Sequence, residues 1–348
     1  MAVQIKWRRD TVSNWTSNNP TLAQGEPGFE TNTAKFKIGD GSTAWNSLAY
    51  ASDMSGAEDA LAALFTNVGT DPSAPSSNKL LMYAKSIAGR MMLRQQGPSG
   101  QTTFFQPHIA RNKVGYWNPP GNAVTAPGVF GYTPPTTVGT TTAATVATTN
   151  LFTRMRRLSF VSSATTGSLA SFRVAQAQVS LGDGFGNNGF FKLIRFGCSD
   201  AATVSGARQF CGIGTVTTAP TNVEPNTLIN RIGVGHGAAD TNLMFYYGGS
   251  VAQTPIDLGA IFPVNTLSTD VYELALRSPA DQPAVIFYEV TRINTGDVAT
   301  GVIVGDGAGI MLPPPGTLMT YSWNYRTNNT TALAVSLDIM SDYIETDN

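Results

Sequence analysis

The chain has 348 residues, of which 42% are hydrophobic, only 13% are charged, 35 are glycine and 20 are proline. The charged fraction is well below the ~25% of ordinary soluble domains. Such a composition predicts a mainly β protein of short strands and many turns. A net charge of −1 argues against a general nucleic-acid-binding protein. No run approaches the ~18 apolar residues of a membrane helix, and the charged start lacks the apolar stretch of a signal peptide. We therefore expect neither nucleic-acid binding nor membrane insertion.

The sequence pattern of residues 1–50 predicts a compact β module. Val3, Ile5 and Trp7 alternate with polar residues, which indicates a strand with one buried face. Residues 13–20 are expected to hold one helical turn capped by Ser13. The elements expected next are a turn at residues 25–28, a strand through Phe29, a strand at residues 35–38 in which Phe36 and Ile38 alternate with lysines, and a Gly-Asp-Gly reversal at residues 39–41.

This module carries a resemblance to a known family. The residues that define it are Trp7, Trp15, Gly25, Glu26, Phe29, Ile38, Gly39, Asp40, Gly41 and Trp45. Their types and spacing resemble the short N-terminal module at the start of many phage tail-fibre, receptor-binding and baseplate proteins. The resemblance implies a virion-proximal piece that is often wound into a trimer. The same residues are also explained by folding alone, because glycines make turns and tryptophans make core.

The sequence pattern of residues 51–150 predicts a short helix followed by a linker. Ser55 is a plausible helix N-cap, and the helix is expected to end near residues 67–69. Residues 80–93 predict a β-rich stretch. Residues 133–150 are rich in threonine and too poor in large side chains to form a core, so we interpret them as an extended neck.

Charge is distributed unevenly along the chain. Residues 72–182 contain ten Lys and Arg residues and no Asp or Glu, whereas the flanking segments are acidic. One interpretation is a basic linker. The other is a docking belt, in which Arg90, Arg94, Arg111 and Lys113 meet carboxylates of an adjoining virion protein, and Arg154, Arg156 and Arg157 lie near the acidic C-terminal domain.

Residues 151–348 predict a C-terminal β-sandwich, either jelly-roll or lectin-like, from apolar runs separated by turns. In residues 321–326 aromatic and polar residues alternate, which is typical of a half-buried strand. The expected strands are Leu158–Val161, residues 190–196, 209–213, 243–247, 271–276, 284–292, 318–326 and 332–339. Several of these runs are similar to C-terminal domains of phage fibres, which implies a host-facing domain that binds a cell-surface glycan or protein.

Candidate chemistry is sparse in this sequence. Cys198 and Cys211 are expected to be free thiols, and His108 and His236 show no metal-ligand spacing. We predict no catalytic residues, no metal and no cofactor. The alternatives considered are a triad built on His236 and Cys211, and a carboxylate pair drawn from Asp257, Glu273 and Glu289. Residues of the type that bind sugars are Tyr246, Tyr247, Asn324 and Arg326.

These observations predict a non-enzymatic virion fibre protein of a bacteriophage, assembled in the bacterial cytoplasm as a homotrimer. It would attach to a tail adaptor, baseplate or capsid protein by its N-terminus and present the sandwich to the host. Whether it is a tail fibre or a head fibre stays open. The alternatives are a polysaccharide depolymerase, although no 20–50-residue repeat is present, and a purely structural collar, baseplate or capsid decoration protein.

Overall fold

The computed structural model describes residues 7–53, 64–100, 102–105, 113–119 and 133–346. The chain divides into two compact units, Met1–Thr66 and Asn67–Asn348. The expected boundaries at residues 50 and 150 therefore differ from the observed division. The helix expected from Ser55 falls largely on residues 54–63, which lie outside the described residues.

In its described residues, 7–53 and 64–66, the N-terminal unit has a four-stranded sheet and one short α-helix. It contains β1 (Arg8–Asp10), α1 (Val12–Asn18), β2 (Pro27–Glu30), β3 (Lys35–Ile38), a 3-10 turn (Trp45–Ser47) and β4 (Tyr50–Asp53). The sheet order is β1-β2-β3-β4, with a parallel β1–β2 pair. The expected helical turn exists, but Thr11 rather than Ser13 is its N-cap, since the Thr11 side chain accepts from the Asn14 amide.

The C-terminal unit is a β-sandwich with an added three-stranded sheet. Its elements are β5 (Leu81–Ile87), β6 (Arg90–Gln96), β7 (Thr102–Phe105), β8 (Lys113–Trp117), β9 (Thr136–Val138), β10 (Thr140–Ala143), α2 (Leu151–Arg154), β11 (Leu158–Val161), β12 (Leu169–Arg173), β13 (Phe190–Gly197), β14 (Arg208–Gly214), a 3-10 turn (Pro225–Thr227), β15 (Arg231–His236), β16 (Met244–Gly248), β17 (Ile256–Asp257), β18 (Tyr272–Ser278), β19 (Val285–Arg292), β20 (Asp297–Val304), β21 (Thr320–Thr327) and β22 (Ser336–Thr346).

Two large sheets enclose the main core of this unit. One has eight strands, in the order β10-β11-β22-β13-β18-β19-β20 with β8 also paired to β22. The other has seven, in the order β17-β16-β15-β14-β21-β12-β9. Buried residues of both sheets form one cluster, and the rings of Phe245 and Tyr288 stack across it at 3.8 Å. The predicted mainly β fold with a C-terminal β-sandwich is confirmed.

Residues 133–150 are not an extended neck. They form β9, which is an edge strand of the seven-stranded sheet, and β10, which is an edge strand of the eight-stranded sheet. Small threonines suffice here because an edge strand contributes backbone hydrogen bonds and few core side chains. Upstream, β8 also joins the sandwich, and its Trp117 is buried in the main core. The sandwich therefore begins well before residue 151.

The sheet of β5, β6 and β7 packs against the eight-stranded sheet through the hairpin between β5 and β6. Ile87, Ala88 and Met92 bury against Phe191 and Ala275. The hairpin also makes polar contacts: Arg90 pairs with Glu345, Arg277 donates to the Gly89 carbonyl, and the Ala88 amide donates to Glu289 at 3.1 Å. The hairpin tip is thus fastened by both apolar and charged groups.

Strand β21 differs from its predicted half-buried character. All eight of its residues are buried. Trp323 and Tyr325 pack in a cluster with Phe210 and Tyr246, whereas Asn324 and Arg326 are fully buried and hydrogen-bonded. Its aromatic side chains are covered by the segment that follows β14, where the Trp323 indole donates to the Thr218 carbonyl and the Tyr325 hydroxyl to the Val223 carbonyl, both at 3.0 Å. In the described part of the chain, no helix is long and apolar enough to cross a membrane.

Candidate functional site

The predicted module residues surround a small core in the N-terminal unit. Trp15 stacks on Trp45 with ring centroids 4.1 Å apart, and Leu22 completes the cluster. The indole of Trp15 donates to the Phe29 carbonyl at 3.0 Å, and Glu26 accepts from the Ala23 amide at 2.8 Å. These contacts give both tryptophans, Glu26 and Phe29 a role in folding.

The turns behave as their sequences predict. Gly25 and Gly41 have φ of +81° and +78°, which favours glycine. Gly39 lies so close to the Ala23 carbonyl that a Cβ would come within 2.3 Å of it. Asp40 accepts from the side chain and amide of Thr43 and from the Ser42 amide, and these bonds lower the pKa of Asp40 below its usual range.

Strand β3 inverts the expected alternation. Lys37 is buried and donates to the Trp45 carbonyl at 2.7 Å, with its ammonium 4.4 Å from the Tyr50 ring centre. Burial lowers the pKa of Lys37. Ile38, in contrast, is 47% exposed, and Trp7, which was expected on a buried face, is 51% exposed. The unit therefore presents apolar side chains on its surface.

The basic belt is largely satisfied within its own chain. Arg90 pairs with Glu345, Arg94 pairs with Asp71 at 3.1 Å, and Arg157 lies 3.3 Å from Asp338. Arg90 and Arg94 were expected to pair with carboxylates of another protein. Folding instead brings Glu345 and Asp71, two acids from outside the belt, to these arginines. Lys113, Arg154 and Arg156 are exposed, and Arg111 lies outside the described residues. Arg154 ends helix α2, so Arg154 and Arg156 do not share one extended strand.

Two of the four sugar-type residues are inaccessible. Arg326 is fully buried, where it donates to Asp200 at 2.7 Å, to Asn265 at 2.7 Å and to Gln209 at 3.0 Å. Asn324 is fully buried and donates to the Phe172 carbonyl. Neither side chain is available to a ligand, and Tyr247 packs partly against the main core. Tyr246 lines a cavity.

This cavity lies beside the loop that joins β15 to β16 and has a volume of about 430 Å³. Its walls come from that loop, from the 3-10 turn and from β16. The lining residues that carry chemistry are Glu224, Asn226, Gly237, Asp240, Met244 and Tyr246. A volume of this size falls within the range of about 300–1,000 Å³ that small-ligand sites occupy.

Two carboxylates meet in the cavity at Gly237. A Cβ on Gly237 would lie 2.6 Å from Oε2 of Glu224 and 3.2 Å from Oδ2 of Asp240, so any side chain there would fill the space between them. Arg208 donates to Oε1 of Glu224 at 2.8 Å, and the Ala238 amide donates to its Oε2 at 3.1 Å. The backbone and one arginine therefore hold Glu224 in place.

Asp240 is held from its other side. Its Oδ2 accepts from the Gly237 amide at 2.7 Å and from the Tyr246 hydroxyl at 2.9 Å. Burial, together with the charge of Asp240, raises the pKa of Tyr246, so the hydroxyl stays a proton donor at neutral pH. Both of these bonds end on Oδ2, which leaves Oδ1 able to accept from a ligand. The arrangement thus offers a carboxylate oxygen that can accept from hydroxyl or amino donors.

The sequence did not single out Glu224, Gly237 or Asp240 as site residues. The available signal was the glycine-rich run at residues 233–237, which ends β15 and enters the loop to β16, followed closely by an aspartate. No local pattern links that loop to Glu224, which reaches it through the fold.

The other candidate groups lie in structural settings. His236 is buried, donates from Nδ1 to the Gly237 carbonyl and accepts from Arg326 at Nε2; burial and that arginine lower the pKa of His236 to about 3. Cys198 and Cys211 are free and buried, which raises the pKa of each thiol to about 12.

The three carboxylates considered for catalysis are divided between two places. Asp257 accepts from Asn242 at 3.2 Å, away from the other two. Glu273 and Glu289 face one cleft, where Arg195 donates to Glu273 at 2.6 Å and burial raises the pKa of Glu289. Among the described residues, no group of three or more His, Cys, Asp or Glu is placed to hold a metal ion.

Residues 5–43 match the family described as major tropism determinant N-terminal domain. No curated protein sequence is significantly similar to the chain. Among solved structures, the chain is similar to peanut lectin (12% identity, 67% of this chain and 97% of the lectin, TM-score 0.44) and to lectin II from Ulex europaeus (11%, 69% and 100%, 0.46). It is also similar to a carbohydrate esterase from the Shiga toxin-encoding bacteriophage phi24B (12%, 62% and 90%, 0.36). The family match supports a phage fibre-type N-terminal module in a chain whose second unit is a β-sandwich.

Proposed function

We propose that this protein is a virion fibre protein of a bacteriophage, on the tail or on the head, whose sandwich binds a saccharide on the host surface. The observation that carries the proposal is the tropism-determinant module at residues 5–43, joined in one chain to a sandwich with an open, carboxylate-lined cavity. The module supports a place in the particle, and the cavity supports a ligand.

Attachment is assigned to the N-terminal unit, with three chains assembled there. Among its described residues, Trp15, Leu22 and Trp45 form the buried hydrophobic core, and Trp7, Ile38 and Tyr50 are 51%, 47% and 43% exposed. A unit this small gains stability by burying such side chains against further copies or a virion partner. In the basic belt, exposed Lys113 and Arg154 are the side chains proposed to contact an acidic neighbour.

A saccharide suits the cavity for a chemical reason. Sugar hydroxyls are hydrogen-bond donors, and carboxylates accept such bonds more strongly than neutral groups do. Oδ1 of Asp240 provides such an acceptor, and Met244 and Tyr246 line the same space. We assign binding rather than hydrolysis to this cavity, because both carboxylates are held by donors within the chain.

The test is binding of the labelled full-length protein to host cells, with competition by polysaccharide extracted from those cells. Asp240→Asn is expected to weaken binding about ten- to hundredfold, because a hydrogen bond to a charged group contributes about 1.5–3 kcal/mol. Asp281→Asn is the matched control, since Asp281 is exposed and does not line this cavity. Unchanged binding by Asp240→Asn, with both variants folded, would contradict the saccharide site.

A further inference from the structure

A phenylalanine protrudes from the sandwich at the tip of a glycine-rich loop. Phe185 is 89% exposed, in the sequence Gly182-Asp183-Gly184-Phe185-Gly186-Asn187-Asn188-Gly189. Scattered surface leucines and valines are common, but a phenylalanine with almost its whole surface in water is unusual. A ring held in water adds nothing to the stability of the chain that carries it.

Hydrogen bonds within the loop and to Ala280 brace its backbone. The Gly184 and Gly186 amides both donate to the Ala280 carbonyl, at 3.0 and 3.1 Å. Asp183 accepts from the Phe185 amide at 2.8 Å, and from the Asn187 amide and side chain at 3.1 and 2.9 Å. The ring is therefore displayed on a fixed support, and binding would cost little ordering entropy.

The two residues that flank Phe185 are glycines, so the loop is narrow around the projecting ring. Gly184 and Gly186 have φ of +83° and +89°, a conformation that favours glycine, and neither adds a side chain next to the ring. A projection of this shape fits a concave surface on a partner. In protein interfaces, such aromatic anchors fill apolar pockets and contribute a large share of the affinity.

The polar groups of the loop argue for a protein partner over a saccharide. A sugar stacked on an aromatic ring also needs hydrogen-bonding side chains next to that ring. Here both Asp183 oxygens and the NH2 group of the Asn187 side chain already bond within the loop. We propose that Phe185 is an anchor that inserts into an apolar pocket of a protein on the host surface. This inference rests on the proposed host-facing role of the sandwich, but it does not use the carboxylate cavity.

The experiment compares full-length wild type, Phe185→Ala, Phe185→Leu and the control Leu318→Ala in binding to host cells. Leu318 is 51% exposed and serves as a surface apolar residue outside the loop. Phe185→Ala is expected to keep the wild-type melting temperature, because the ring is almost wholly exposed, and to weaken binding at least about tenfold. Phe185→Leu is expected to recover part of the loss, and Leu318→Ala to bind as wild type.

Two treatments of the host cells distinguish a protein partner from a saccharide partner. Protease digestion of surface proteins is expected to abolish the difference between wild type and Phe185→Ala, and periodate oxidation of surface sugars is expected to leave it intact. The proposal is overturned if Phe185→Ala binds normally, or if periodate but not protease abolishes the difference. It is also overturned if Phe185→Ala binds cells normally but fails to enter particles. If Phe185→Ala weakens binding to host cells and Asp240→Asn does not, the saccharide cavity is refuted and the Phe185 anchor is supported.

Discussion

The pair of Lys192 and Asp342 lies inside the main core of the sandwich and provides a sharp test of its energetics. Lys192 is on β13 between Phe190 and Ile194, both members of the main core cluster. Its ammonium donates to Asp342 on β22, and both side chains are essentially inaccessible to water. The ammonium also lies 5.4 Å from the ring centre of Tyr321.

We predict that Lys192→Met destabilises the C-terminal unit by about 3–5 kcal/mol, because it leaves a buried carboxylate without its counter-charge. For a domain of this size, each kcal/mol lowers the melting temperature by roughly 2–4 °C, so the expected fall is roughly 6–20 °C. Calorimetry on the full chain measures this change. The double variant Lys192→Met with Asp342→Leu is expected to recover most of the loss, since it removes both buried charges.

The loss should also depend on pH. Burial raises the pKa of Asp342 and Lys192 opposes that rise, so removing Lys192 raises the pKa further. A carboxyl group with a raised pKa in the folded state penalises folding fully above that pKa, and the penalty declines as pH falls through it and is gone below the unfolded-state pKa of ~3.9. The deficit of Lys192→Met relative to wild type should therefore shrink on acidification. This account of the pair would be refuted if the single and double variants lost equal free energy of unfolding. It would also be refuted if the loss in Lys192→Met grew at low pH.

Two further predictions concern other buried groups. Because burial and Arg326 lower the pKa of His236 to about 3, well below the ~6.5 expected on unfolding, the folded state resists protonation and stability falls as pH drops below ~6.5. His236→Gln should reduce the fall in the urea midpoint of unfolding between pH 6.5 and pH 3. An unchanged fall would contradict the prediction. Trp45→Ala should cost about 3–5 kcal/mol and unfold the N-terminal unit, since Trp45 is one of three residues in its core. Limited proteolysis should then cleave within residues 7–53 and spare the sandwich, whereas a protected N-terminal unit would contradict it.

Much of the β architecture could be predicted from the sequence, because alternation of apolar and polar residues is a local property of a strand. Leu158–Val161 coincides with β11, and the stretch at residues 284–292 contains β19. Strand β15 was missed since its glycines have low strand propensity. They are needed because a Cβ on Gly233 would come within 2.3 Å of the Cys211 carbonyl on the neighbouring strand.

Tertiary packing decided the remaining features. Residues 133–150 became strands only because each large sheet offered an unpaired edge, and Arg326 is buried because Asp200, remote in sequence, meets its charge in the core. The sequence by itself determined the turns, the tryptophan core of the N-terminal module and most strands, since these depend on neighbouring residues. The meeting of Glu224 with Asp240 and the exposure of Phe185 were decided by the tertiary structure, because each depends on which distant segments fold around the side chain.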